Sequence, residues 1–199
     1  MNIEETWQAY SQFTKGEVIP SSILRNGTDH RVISSIGAWK VALDTVTMLN
    51  PSIHTVTAMK LPFFNSTNLQ FSLVENNVLA KFKAIFGKKR ILTGSESFDR
   101  KYSVTGNDPE RIQQIFSDPT IQEFVGRQPH INFEISQHET PEYFQGKLPV
   151  GVSMLCYYEL SRKINDIERL KNLFALIQAV IARMQTLGCV GNGAPDVEF

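Results

Sequence analysis

The sequence predicts an α+β domain, a mainly antiparallel sheet with amphipathic helices packed on one face and a long C-terminal helix. Three observations carry this reading. Two β-rich runs, WKVALDTVTML and IHTVTAMKLPFF, follow one another across the turn material Asn50-Pro51-Ser52. The stretch Phe98–Val125 reads as a strand, a capped turn and a broken amphipathic helix, and so ties a sheet to a helical layer. A broad apolar stripe at helical spacing then closes the chain from Leu170 to Met184.

In chain order, Ile3, Trp7, Tyr10 and Phe13 recur at period 3.6 and predict a short first helix over residues 1–16. Residues 17–36 read as a loop flanked by short strands. The two β-rich runs pair as a hairpin in which Thr45-Val46-Thr47 and Thr55-Val56-Thr57 face each other, with Pro62 closing the second strand. Leu69, Phe71 and Leu73 alternate inward on a third strand. Asn77–Phe86 places Val78, Leu79, Phe82, Ile85 and Phe86 on one helical face, and Gly87 supplies its stop.

Phe98, Arg100, Tyr102 and Val104 alternate as the organising strand. Asn107 or Asp108 then caps a helix with Pro109 in its first turn, and Asp118-Pro119 repeats the signal, so the helix breaks and restarts. Ile131, Phe133 and Ile135 mark another strand. Val150–Leu160 marks the last, with Leu155 and Tyr157 making its second face apolar too. Asn165 or Asp166 caps the final helix, and residues 191–199 read as a loose tail. The whole is one domain, in which residues 1–36 are either an appendage or an integral part.

The segment FDRKYSV (98–104), followed by NDPE (107–110), Ile115-Phe116 and Asp118-Pro119, resembles a bacterial domain-of-unknown-function family. That family carries an F-D-x-x-[FY]-x-V strand, an N-D-x-E helix start and a proline helix break. The likeness runs through His130–Ile135 and Leu148–Leu160 to the last helix, roughly the second half of the chain. It implies no catalytic residues.

Twenty Lys and Arg balance twenty Asp and Glu, so no global field points to nucleic acid or an anionic membrane. The acidic start MNIEETWQAY carries no secretory pattern, and no apolar run is long enough to span a bilayer; a cytoplasmic protein is expected. Cys156 and Cys189 form neither a CxxC motif nor a disulfide framework. Asn26 and Asn65 match the glycosylation sequon, without meaning in a cytoplasmic chain.

No zinc spacing, nucleophile elbow or phosphate loop is present, so neither a metal nor a cofactor is expected. Two clusters remain. Lys81, Lys83, Lys88, Lys89 and Arg90 form either a solvated helix face or an anion patch for phosphate or lipid headgroups. Asp44, His54, Thr57 and Lys60 lie on the predicted hairpin and form the alternative polar site of an enzyme built from dispersed residues. Asp44 interrupts an apolar strand on the side it shares with Ala42 and Val46, read as the solvated face. The leading expectation is a non-catalytic binding or scaffolding domain that meets a protein partner or further copies of itself.

Overall fold

The computed structural model describes residues 2–20, 28–48, 54–76, 89–136, 148–159, 163–197 and 199. The predicted helix Asn77–Phe86, the turn Asn50-Pro51-Ser52 and most of the polar 136–149 interval lie outside them. Nine strands among the described residues form one sheet: β1 (Glu17–Ile19), β2 (Thr28–Ile36), β3 (Trp39–Met48), β4 (His54–Phe64), β5 (Phe71–Glu75), β6 (Arg90–Ile91), β7 (Tyr102–Gly106), β8 (Asn132–Ser136) and β9 (Val152–Glu159). Their order is β1-β2-β3-β4-β9-β8-β5-β7-β6, with every pairing antiparallel. The helices among the described residues are α1 (Ile3–Thr14), α2 (Glu96–Lys101), α3 (Pro109–Phe116), α4 (Pro119–Gly126) and α5 (Ile167–Thr186). The α+β class and the long last helix are as the sequence predicts.

The hairpin registers as expected. Thr45 pairs with Thr57, Val46 with Val56 and Thr47 with Thr55. Pro62 does not close β4, which runs on to Phe64. Pairing with β3 stops at Ala42–Lys60, whereas pairing with β9 continues through Pro62–Met154, so the missing N–H falls where one ladder has ended. Strands β8 and β9, though late in the chain, fill the sheet between β4 and β5. The N-terminal β1 and β2 belong to the same sheet.

One face of this sheet buries Leu43, Met59, Leu61, Phe63, Leu73, Phe133, Leu155 and Tyr157 in a single core with the helices. Helix α5 contributes Leu170, Leu173, Leu176, Ile177, Val180, Ile181 and Met184, and Asp166 caps it by accepting from the Glu168 and Arg169 amides. Asp108 and Asp118 cap α3 and α4, each with proline in its first turn, so the predicted break is real. On α1, Trp7 and Tyr10 are buried, but Phe13 is 52% exposed and instead carries Lys171 over its ring.

Three further sequence expectations are corrected. Phe98–Lys101 is helical, and the strand starts only at Tyr102. Local bonds override the alternation there: Asp99 accepts from the Thr93 amide and hydroxyl and from the Gly94 amide, Glu96 bonds Arg100 one turn on, and the Phe98 ring sits 4.8 Å from that of Tyr102. Val150 stands in a fully exposed turn before β9. The tail is not loose: Val190 bridges Asn65, Pro195 and Val197 are buried, and Phe199 packs on the sheet.

A methyl group on Gly106 would meet the Gln70 carbonyl oxygen and Ile112 Cδ1 at 2.3 Å, where β7 passes β5 under α3. Gly106→Ala is expected to cost about 1–3 kcal/mol through overpacking. Gly126→Ala meets nothing within 4 Å and serves as the control, neutral or slightly stabilising. Equal urea midpoints for the two variants would contradict this close approach.

Candidate functional site

The reverse face of the sheet, away from the helices, is where the structure concentrates charge. Side chains alternate along a strand, so with Leu43, Met59 and Leu61 committed to the helical core, Asp44 and Lys60 point the other way. The turn at Gly37-Ala38 sets the β2–β3 register so that Arg31 lies opposite Asp44. Asp44 faces Ala58 on β4, and Lys60 is its diagonal neighbour. The Asp44 carboxylate accepts from Arg31 Nε at 2.6 Å and from Lys60 Nζ at 2.9 Å. Asp44 is wholly buried and Lys60 nearly so, which corrects the expected solvated face.

Burying such a carboxylate is tolerable only because two cations and their hydrogen bonds compensate its lost hydration. The arrangement fastens three strands to one another. It also commits the oxygens of Asp44, so this carboxylate serves structure.

The remaining hairpin candidates do not join it. Thr57 is on the helical side, where its hydroxyl oxygen accepts from the Ile164 amide at 2.9 Å. There it anchors the approach to α5, beside the Trp7 indole N–H that donates to the Ile164 carbonyl. His54 opens β4 opposite Met48, and its side chain lies outside the described residues. Of the four predicted positions, Asp44 and Lys60 meet and Thr57 faces away.

Sequence reasoning missed Arg31. Its signal was the hairpin arithmetic: a turn at Gly37-Ala38 pairs Ile36 with Trp39 and, counting back, Arg31 with Asp44.

Further along the rung of Lys60 stand Cys156 on β9 and Glu134 on β8. Burial pushes the Cys156 thiol up to about 12, so it stays protonated at neutral pH. Burial also raises the Glu134 carboxyl above its ordinary value. On the helical side a second buried carboxylate, Glu159, is bonded by Arg169 and by the Tyr157 hydroxyl. The same Arg169 guanidinium donates to the Tyr157 oxygen at 2.9 Å and to the Pro129 carbonyl at 3.3 Å, tying β9 to α5 and to the turn after α4. Neither Glu159 nor Arg169 stood out in the sequence, because a strand-end acid and a helical arginine are ordinary until tertiary contact buries them.

Of the basic cluster, Lys81, Lys83 and Lys88 lie outside the described residues. Lys89 is exposed, and Arg90 on β6 donates to the Tyr102 carbonyl at 2.9 Å. Nearby, Arg100 bonds Glu96, and the Lys101 ammonium lies 5.0 Å from the Tyr102 ring centroid. Among the described residues no three His, Cys, Asp or Glu side chains converge to hold a metal ion. Among them, too, no helix is long and apolar enough to cross a membrane.

Two outcomes follow from the buried charges. Asp44→Asn removes the charge that Arg31 and Lys60 share and is expected to lower unfolding free energy by about 3–5 kcal/mol in a denaturant titration. A loss below measurement error would show that the three strands do not depend on this carboxylate.

Glu134 is held protonated to higher pH in the folded than in the unfolded chain. Its contribution to stability is therefore complete below the ordinary carboxylate range and is lost as pH rises through the raised folded value. Glu134→Gln should melt higher than wild type at neutral pH and converge with it near about pH 3, below the ordinary carboxylate range. A constant difference across that range would sink the assignment. No protein-family model, curated protein or solved structure matches this chain.

Proposed function

We propose that the chain is a non-catalytic binding or scaffolding domain. One observation carries this reading: among the described residues, the buried candidates for chemistry are spent inside the fold. Asp44 is held by Arg31 and Lys60, Glu159 by Arg169 and Tyr157, and Thr57 by the Ile164 amide, while burial locks the Cys156 proton in place. A general base needs an accessible lone pair and a nucleophile needs an approach path; these residues offer neither. The resemblance to the bacterial family, which supplies no catalytic residues, leads to the same proposal.

A thermal-shift screen of the purified protein against metabolites, nucleotides, divalent metals, anionic vesicles and peptides tests it. A ligand present at a hundred times its dissociation constant stabilises the fold by about 2.7 kcal/mol, a readily visible rise in Tm. Peptide or protein ligands that raise Tm without turnover support the binding reading. A small metabolite that both raises Tm and is consumed would replace it with the enzyme reading.

A further inference from the structure

The reverse face of the sheet is covered in part by the chain's own tail. After α5 the backbone turns back along the end of β4: the Ser66 amide donates to the Cys189 carbonyl at 3.0 Å, and the Gly191 amide donates to the Phe64 carbonyl at 2.8 Å. Gly191-Asn192-Gly193 follows, with Gly193 at φ 78°, a conformation open to glycine. Beyond it the side chains alternate. Pro195 and Val197 are buried, Asp196 between them is exposed, and Phe199 packs on Ala58, Met154, Cys156 and Tyr158.

Those four residues share the face that carries Asp44, Lys60 and Glu134. The alternation is that of an extended peptide laid on a surface, yet none of the described residues from 192 onward makes a backbone hydrogen bond. Among the described residues of this segment, side-chain burial is the contact with the fold, and no backbone ladder joins them to the sheet.

We propose that this face is a peptide groove closed in cis by residues 191–199, and that it takes in trans an extended segment of a partner protein with the same alternation of apolar and acidic residues and an aromatic anchor. The described tail residues define that chemistry: apolar Pro195 and Val197 and aromatic Phe199 at alternate positions, with Asp196 exposed between the first two; in the sequence Glu198 continues the alternation. The hinge lies in the two glycines. Occupation in cis lowers the apparent affinity for the partner by the fraction of open molecules, so the tail sets a threshold for binding. The inference rests on the binding-domain reading above and names its partner.

The test uses a labelled peptide, GNGAPDVEF, titrated by fluorescence anisotropy against the full chain and its Phe199→Ala and Val197→Ala variants. Weakening the internal competitor is expected to tighten peptide binding at least ten-fold over wild type. It should also speed thiol labelling of Cys156, located by mass spectrometry, and saturating peptide should slow that labelling again. Two variants guard against one that fails to fold, and a cooperative melt qualifies each.

Folded variants that bind the peptide no better than a scrambled sequence, or no better than wild type, overturn the groove. The general binding reading would then stand or fall on the thermal-shift screen, which senses every face of the molecule. A concentration-dependent dimer of wild type that Phe199→Ala abolishes would place a second copy's tail in the groove and overturn the partner assignment.

Discussion

Strand β9 is buried along its whole length, and the rest of the structure answers to that constraint. A strand buried on both faces has no water for its backbone, so its polar groups need ladders; β4 pairs with it from Val152 to Glu159 and β8 from Met154 to Tyr157. Its two rows of side chains also need two different covers. Leu155 and Tyr157 meet the helical core, while Met154, Cys156 and Tyr158 meet Leu148 and Phe199. An open antiparallel sheet commonly leaves one face to solvent, but the centre of this one is closed on both sides.

That closure explains where the charges sit. A buried carboxylate must either be compensated or hold its proton: burial raises the Glu134 carboxyl, while two others recruit cations from neighbouring elements. Asp44 draws Arg31 and Lys60 from the strands on either side of β3. Glu159 draws Arg169 from α5. Breaking either pair removes compensation from a buried charge, which disfavours slipped registers more strongly than apolar packing alone would. The two clusters therefore act as registration devices, one on each face.

On the binding reading proposed above, with Asp44, Lys60 and Thr57 held inside the fold, recognition falls to surfaces: the outer strands, the exposed apolar side chains and the face beneath the tail. Phe13, at one end of α1, is partly screened by Lys171 and stacked edge-on to Phe174, a local compensation for an exposed ring. The tail differs, because its contact covers a continuous apolar cluster on the central strands.

The chain determined much of this by itself. Proline in the first turn, aspartate caps and helical stripes act over a few residues, so α1, α3, α4 and α5 were legible, as was the Thr-Val-Thr pairing of the hairpin. Strand alternation also named the core residues of β5 and β8. Tertiary structure decided what local pattern cannot contain. The insertion of β8 and β9 between β4 and β5 is a non-local pairing, and the burial of Asp44 between Arg31 and Lys60 is a property of the assembled sheet. The tail's two glycines and one proline read as looseness, because only the apolar cluster on β4 and β9 gives Phe199 a place to pack. Phe98–Lys101 became helical because Asp99 and Glu96 found closer partners than a strand would have offered. Local propensity chose the pieces, and the burial of charge and of β9 chose their arrangement.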